Sequence, residues 1–228
     1  MCSESIDYYL ASRPEIKFLL NHADEDDPIR VLEVGCGAGN FRKNFLSNNE
    51  YWGVEPHSDA ALAASKVLDK VLVGTYSQVI DLLPDDYFEC VVCCDVIEHM
   101  ENPDFFLSSI KKKIRPNGYL VGSIPNVRYI TNLYKLLFEK DWKYSESGTL
   151  DRTHLRFFTE KSLKRLFYDA GYEIDIFVGI NPITISRRTW AYFFFTVIST
   201  IFCNLVWKDS KFFQLGFRIK PINTLNEL

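Results

Sequence analysis

Five short apolar runs punctuate the first half of the chain, and stretches of helix length separate them. The runs are IRVLEV (29–34), YWGVE (51–55), KVLV (70–73), YFECVVCC (87–94) and GYLVGSI (118–124). Between them, 40–48, 58–68, 76–82 and 104–114 carry apolar residues at helical spacing. A strand followed by a helix does not turn straight back on itself, so the next strand lies parallel to it across a crossover. The alternation therefore predicts an α/β chain built on an open, doubly wound sheet. At 228 residues and 47% hydrophobic, the chain has enough apolar surface for one domain over 1–228.

The first strand runs into a glycine-rich loop, VLEVGCGAGNF, with Gly35, Gly37 and Gly39. Glycines there allow a tight turn and let a ligand approach the backbone at a helix N-terminus. A dinucleotide fingerprint requires glycine at the sixth place, which is Asn40 here, and Glu33 would repel a pyrophosphate. A nicotinamide-dependent oxidoreductase is excluded on that ground. Glu55 ends the second run, the position from which a carboxylate meets ribose hydroxyls in doubly wound folds. Ribose, adenine and a positive charge together satisfy both carboxylates.

VLEVGCGAGNF, GVEP, FECVVCCDVIEHM and IRPNGYLVGSIPN resemble, in order and spacing, the successive motifs of class I S-adenosylmethionine-dependent methyltransferases. The resemblance covers 29–126, the cofactor-binding core. It implies a Rossmann-like, seven-stranded sheet whose last strand is antiparallel. It assigns Tyr9, Arg13, Glu33, Gly35, Cys36, Gly37, Gly39, Glu55 and Asp95 to the cofactor, with plain turn and packing roles as the alternative for Gly39 and Cys36. Further stretches, YY at Tyr8-Tyr9, RPEI, PNVRYI and GTLDRTHLRFFT, resemble methyltransferases of bacterial surface-polysaccharide biosynthesis and, more distantly, ubiquinone-type O-methyltransferases. The acceptor implied is a sugar or polysaccharide precursor, or alternatively a small aromatic, quinone-type molecule.

In a doubly wound sheet ligands sit beyond the carboxyl ends of the strands. Asp95, Glu98 and His99 follow such an end, in CCDVIEHMENP, and so mark the rim of a site. A sugar hydroxyl is a poor nucleophile and profits from a general base or a metal. His154 or His99 serves as base in one reading, oriented by Glu98 or Asp151. In a second, Asp95, Glu98, His99 and His154 hold Mg or Mn; the resemblance supports this, since metal-dependent 2′-O-methyltransferases of small RNAs carry a similar pattern. In a third, structural reading, Asp95 caps the following turn and Glu98-His99 orient the loop. Asn126, Arg152 and Arg156 are the acceptor-binding candidates, the two arginines suited to a phosphate. They lie in or beside an aromatic acceptor-side segment, 127–158. Residues 126–166 hold nine basic and five acidic side chains in a chain of net charge −4. That overall acidity gives no general pull toward nucleic acid, and none is expected as partner.

An apolar helix over 187–208 is inserted before the last strand. Its centre, WAYFFFTVISTIFCNLVW from Trp190 to Trp207, just reaches the length of a membrane span. Thr196, Thr200 and Asn204 form a polar stripe along it, which fits a packed helix or one lying on a membrane better than a span. A non-catalytic cofactor-binding protein that docks to a membrane through this segment is the alternative to an enzyme. Six cysteines without a signal-peptide pattern point to a reduced cytoplasmic setting, peripheral to the inner membrane face if the helix docks there.

Overall fold

The computed structural model describes residues 12–20, 27–184, 190–205 and 207–222. Tyr9 lies outside the described residues. Seven strands form one sheet: β1 (Arg30–Val34), β2 (Glu50–Glu55), β3 (Lys70–Val73), β4 (Phe88–Cys94), β5 (Ile114–Pro125), β6 (Tyr172–Pro182) and β7 (Phe212–Pro221). Their order is β3-β2-β1-β4-β5-β7-β6, with β7 antiparallel to both its neighbours. The doubly wound sheet with an antiparallel last strand is thus as expected. Chain order reverses between β1 and β4, which opens a crevice at their carboxyl ends.

Both faces of the sheet are covered, which is why β4 reads as an almost unbroken apolar run. Val91 and Cys93 point into one core with Leu32, Leu120, Phe106 and Phe167; Cys90 and Val92 point into the other with Val31, Tyr51, Phe41 and Ile16. Phe88 and Cys90 are two apart yet belong to opposite cores. A register shift between them accounts for this, because one extra residue moves the side chains beyond it to the other face.

The helices are α1 (Ser58–Ala64), α2 (Tyr76–Val79), α3 (Pro103–Ile110), α4 (Ile130–Tyr134), α5 (Glu160–Asp169) and α6 (Trp190–Leu205). Caps set their starts: Asn102 Oδ1 accepts from Phe105 N at 2.9 Å ahead of Pro103, and Thr159 and Ser162 cap α5 reciprocally. The helix expected over 40–48 is instead a single 3₁₀ turn, Asn40–Asn44. Arg42 donates to the carbonyls of Phe45, Leu46, Ser47 and Asn49, and Asn44 Nδ2 donates to those of Ser12 and Phe41. These side chains satisfy the carbonyls without further helical turns.

The inserted helix α6 packs with part of its polar stripe inward. Thr196, Ser199 and Cys203 are buried, while Ile198, Ile201 and Leu205 stand outward at 65, 56 and 77% exposure. Polar burial is tolerated because Thr200 Oγ1 donates to Thr196 O at 2.7 Å and Cys203 Sγ lies 3.4 Å from Ser210 Oγ. The side chain of Asn204 lies outside the described residues. No helix among the described residues is long and apolar enough to cross a membrane.

The two-core arrangement makes a direct forecast. Phe167, fully buried with its ring 4.7 Å from that of Phe217, should cost about 3–5 kcal/mol when changed to Ala. Leu205→Gln, on the outward face of α6, should cost less than about 0.5 kcal/mol. Urea unfolding of the two variants checks the contrast.

Candidate active site

β1 ends at Val34 and the chain turns through Gly35 (φ +74°) and Gly37 (φ +53°). A Cβ at Gly35 would come 2.7 Å from Val96 Cγ2, so only glycine lets this loop pack against the residues after β4. The amides of Gly35 and Cys36 both donate to Val54 O, at 2.8 and 3.1 Å. Cys36 itself is buried beneath Gly53, where a Cβ would lie 2.5 Å from its Sγ. Its amide donates within the fold and its thiol packs under Gly53, the packing role read for Cys36 as the alternative to a cofactor contact. Gly39 (φ +79°) caps the following 3₁₀ turn.

Glu55, at the end of β2, accepts from the amides of Gly37 (2.8 Å, Oε2) and His57 (3.0 Å, Oε1). Each oxygen keeps a second lone pair with which to meet a ribose hydroxyl. Glu33 is buried, and Tyr51 O–H donates to its Oε2 at 2.9 Å. Burial pushes its carboxyl up to about 8, against the bond from Tyr51.

Asp95 follows β4 in the left-handed conformation (φ +54°). Its carboxylate accepts from Arg13 Nη1 (2.5 Å), Ser123 Oγ (2.8 Å) and Gln214 Nε2 (2.7 and 2.9 Å). Arg13 also reaches Ser123 Oγ at 2.9 Å, which seats the segment before Leu20 on the ends of β4, β5 and β7. A guanidinium beside a carboxylate complements the zwitterionic end of an amino acid, and with Glu55 for ribose these residues fit S-adenosylmethionine. Ser123 and Gln214 were not legible as site residues, since a lone serine and glutamine inside strands carry no motif.

Glu98, His99 and His154 converge, with ligand atoms all within 4.8 Å of one another. Thr153 O lies 3.1 Å from His99 Nδ1, and Thr149 O lies 3.3 Å from His154 Nδ1. In a neutral ring each Nδ1 then carries the hydrogen and each Nε2 keeps its lone pair. Among the described residues neither oxygen of Glu98 has a hydrogen-bond partner, although the residue is 1% exposed. Burial, and then the nearby Asp95 charge, raise the Glu98 carboxyl well above the usual range. Burial, and then His99, lower His154. Both groups are thus driven to their neutral forms, and their 4.0 Å contact is not an ion pair.

Two unspent nitrogens and an orphaned buried carboxyl fit a divalent cation. Asp95, expected in this set, is not part of it, because Arg13 and Gln214 take its oxygens. That loss leaves one oxygen donor beside two nitrogens, a set better suited to Mn than to Mg. The Asp151 side chain turns to Thr153 rather than to either ring, its Oδ1 accepting from Thr153 N and Oγ1 at 2.7 and 2.6 Å, and its carbonyl accepts from His154 N at 3.1 Å. Asn126 is also corrected: its Nδ2 donates to Asp209 O and Phe212 O, at 2.9 and 3.1 Å, so both amide hydrogens clasp β5 to the start of β7 rather than an acceptor. Arg152 pairs with Glu146 in solvent, and Arg156 donates to the carbonyls of Leu155 and Glu101. Trp142, Tyr144 and Phe157 make an aromatic wall beside His154, with Phe157 centroid distances of 5.4, 6.2 and 6.4 Å to Trp142, Tyr144 and His154. The aromatic content of 127–158 was visible in the sequence, but not which rings would meet.

A family model described as Methyltransferase domain matches residues 6–175. The ubiquinone biosynthesis O-methyltransferase of Rickettsia bellii is 27% identical over 115 residues, 49% of this chain; the chain spans about half of that relative's length, 48%. The enzyme of the same description from Photobacterium profundum is 26% identical over 180 residues, 74% of this chain and 75% of that one. Among solved structures, a SAM-dependent methyltransferase from Archaeoglobus fulgidus superposes with a TM-score of 0.61 at 21% identity, covering 95% of this chain and 98% of that one. At that identity the likeness establishes the fold.

The Glu33 carboxyl supplies a test free of any ligand. Its pKa rises on folding from an ordinary value of 4.5 to about 8, so the folded protein holds a proton that the unfolded chain releases. The stability from this group is complete below about pH 4.5 and is lost as pH rises through about 8. The melting temperature of the ligand-free protein should therefore fall from pH 5 to pH 8.5, and Glu33→Gln should flatten the decline. Parallel curves for both proteins would count against a linked proton at Glu33.

Proposed function

Because this chain belongs to the methyltransferase domain family, we propose that it moves a methyl group from S-adenosylmethionine to a hydroxyl of a small, ring-bearing acceptor of phenolic, quinol type. The observation that carries the reading is the orphaned Glu98 carboxyl between His99 and His154, at the carboxyl end of β4 where a doubly wound sheet binds its ligands. The aromatic wall of Trp142, Tyr144 and Phe157 supplies faces on which a planar acceptor stacks. The relatives named as ubiquinone biosynthesis O-methyltransferases point the same way.

The cofactor supplies an electrophilic methyl group when bound, so the chain's task is alignment and removal of the hydroxyl proton. Arg13 and Asp95 hold the amino-acid end, and Glu55 the ribose. Glu98, His99 and His154 would hold a divalent ion, which lowers the pKa of an acceptor hydroxyl. The Nε2 lone pair of His154, in its low-basicity surroundings, accepts the proton in a metal-free version of the same site.

A sugar hydroxyl on a phosphate-bearing precursor is the second reading. Arg156 favours it, as a guanidinium at the rim whose hydrogen bonds go to main-chain carbonyls. A working position on the cytoplasmic face of a membrane extends either reading, with Ile198, Ile201 and Leu205 of α6 turned to lipid beside Lys208 and Lys211.

Titration with S-adenosylhomocysteine should give micromolar binding in the wild type and in His154→Ala alike. Methylation of a simple catechol should need Mn(II) and fall at least about 100-fold in His154→Ala. Full activity in the variant would remove His154 from the chemistry, and transfer to a nucleotide sugar but not to catechol would select the second reading. Cofactor binding without turnover on any acceptor would instead favour a non-catalytic role. Co-sedimentation with vesicles containing anionic lipid should be lost in the double variant Ile198→Gln, Ile201→Gln; unchanged pelleting would sink the membrane position.

A further inference from the structure

Two buried polar side chains outside the ligand set face each other behind His154. Asn132, on α4, and Thr149, in a turn, are each 6% exposed. Asn132 Nδ2 donates to Thr149 Oγ1 at 2.7 Å, and Thr149 Oγ1 donates back to Asn132 Oδ1 at 3.0 Å. The second amide hydrogen of Asn132 goes to Val127 O at 3.2 Å. The pair therefore ties the turn to the chain segment that leaves β5.

We infer that Asn132 and Thr149 are positioning residues that decide which ring nitrogen of His154 faces Glu98. The Thr149 carbonyl lies 3.3 Å from His154 Nδ1. A carbonyl only accepts, so in neutral imidazole the hydrogen is held on Nδ1 and the lone pair on Nε2. Nε2 is the atom 4.0 Å from Glu98 Oε1. Thr149 lies in a turn after Gly148 (φ +89°), and main-chain hydrogen bonds hold its neighbours, Asp151 N to Gly148 O at 3.2 Å and Ser145 N to Leu150 O at 2.9 Å. At Thr149 itself the side-chain tether to Asn132 adds the contact that sets the aim of its carbonyl.

The same loop registers the other two groups. Thr153 O holds His99 Nδ1 at 3.1 Å, and the amides of Leu155 and Arg156 donate to Glu98 O at 2.8 and 3.0 Å. A shift of the turn at Thr149 would thus misplace a lone pair while leaving the glycine loop and Glu55 untouched. The consequence for catalysis rests on the proposed role of Glu98, His99 and His154; the tautomer itself does not.

Nitrogen-15 spectra of the full chain, labelled at its four histidines, read the tautomer directly, with His154 assigned through His154→Gln. The wild type should show His154 hydrogen on Nδ1. Thr149→Val, which keeps the shape and loses the hydroxyl, should yield a mixture of tautomers, and Thr149→Ser should restore the wild-type spectrum. Mn(II) affinity should drop about 10-fold in Thr149→Val and recover in Thr149→Ser, while S-adenosylhomocysteine binding stays unchanged and reports an intact fold. Asn132→Ala provides the same readings from the other side of the pair. Hydrogen on Nε2 in the wild type, or an unaltered tautomer in both folded variants, overturns the inference. A wild type that binds no Mn(II) but shows these tautomers sinks the cation reading and leaves the positioning pair standing.

Discussion

The main-chain carbonyl of Glu98 accepts two consecutive amides, those of Leu155 and Arg156, and the site depends on this junction. Glu98 lies in a 3₁₀ turn just after β4, while Leu155 and Arg156 belong to an irregular segment that follows β5. Neither a helix nor a sheet ladder can register two such stretches, so direct hydrogen bonds must. Ordering the segment costs chain entropy, which is offset by burying Leu150 and Phe158 on either side of the junction. The junction brings His154 beside Glu98 and His99, where Asp151 O holds its amide and Thr149 O its Nδ1. The sheet places one half of the site, and this main-chain contact places the other.

Four carboxyl groups stand at or just beyond the strand ends, and each meets a different environment. Glu55 is held by two amides. Asp95 is held by a guanidinium, a hydroxyl and an amide. Glu33 is left to one phenol and to burial, which keeps its proton on near neutral pH. Among the described residues Glu98 receives no hydrogen bond on its side chain. Burying an unmet carboxyl costs free energy that folding alone does not recover, so Glu98 differs in kind from the other three, whose partners lie within the fold.

Strand positions and the glycine loop were legible because they rest on periodicity and on short local motifs, whereas the antiparallel last strand was implied only by the resemblance to class I methyltransferases. The helix read over 40–48 was not, because Arg42 and Asn44 spend their donors on carbonyls that a helix would have used, and composition does not reveal where a side chain reaches. The grouping of Glu98, His99 and His154 was legible as a set. The exclusion of Asp95 was not, since it depends on Arg13 and Gln214, which lie at opposite ends of the described chain. Asn126 was misread for a similar reason: an asparagine at a strand end looks free until the strand that covers it, β7, is in place. In α6 a polar stripe was legible in the sequence, but not that Thr196 would turn inward together with Ser199 and Cys203.

Arg13 therefore does more than seat the segment that carries it. Asp95 follows β4 in a left-handed turn, and a second carboxylate among the Glu98 ligand atoms would favour a hard, oxygen-seeking ion. By pairing with Asp95 at 2.5 Å, Arg13 engages its oxygens and leaves Glu98, His99 and His154 as the converging donor set, while the Asp95 charge still acts on Glu98 from outside it. The same pairing keeps opposite charges side by side at the carboxyl ends of β4 and β5. One arginine ahead of the first strand thus bears on Asp95 directly and, through it, on the donor set around Glu98. The two halves of the site are coupled through Asp95 even though they share no ligand atom.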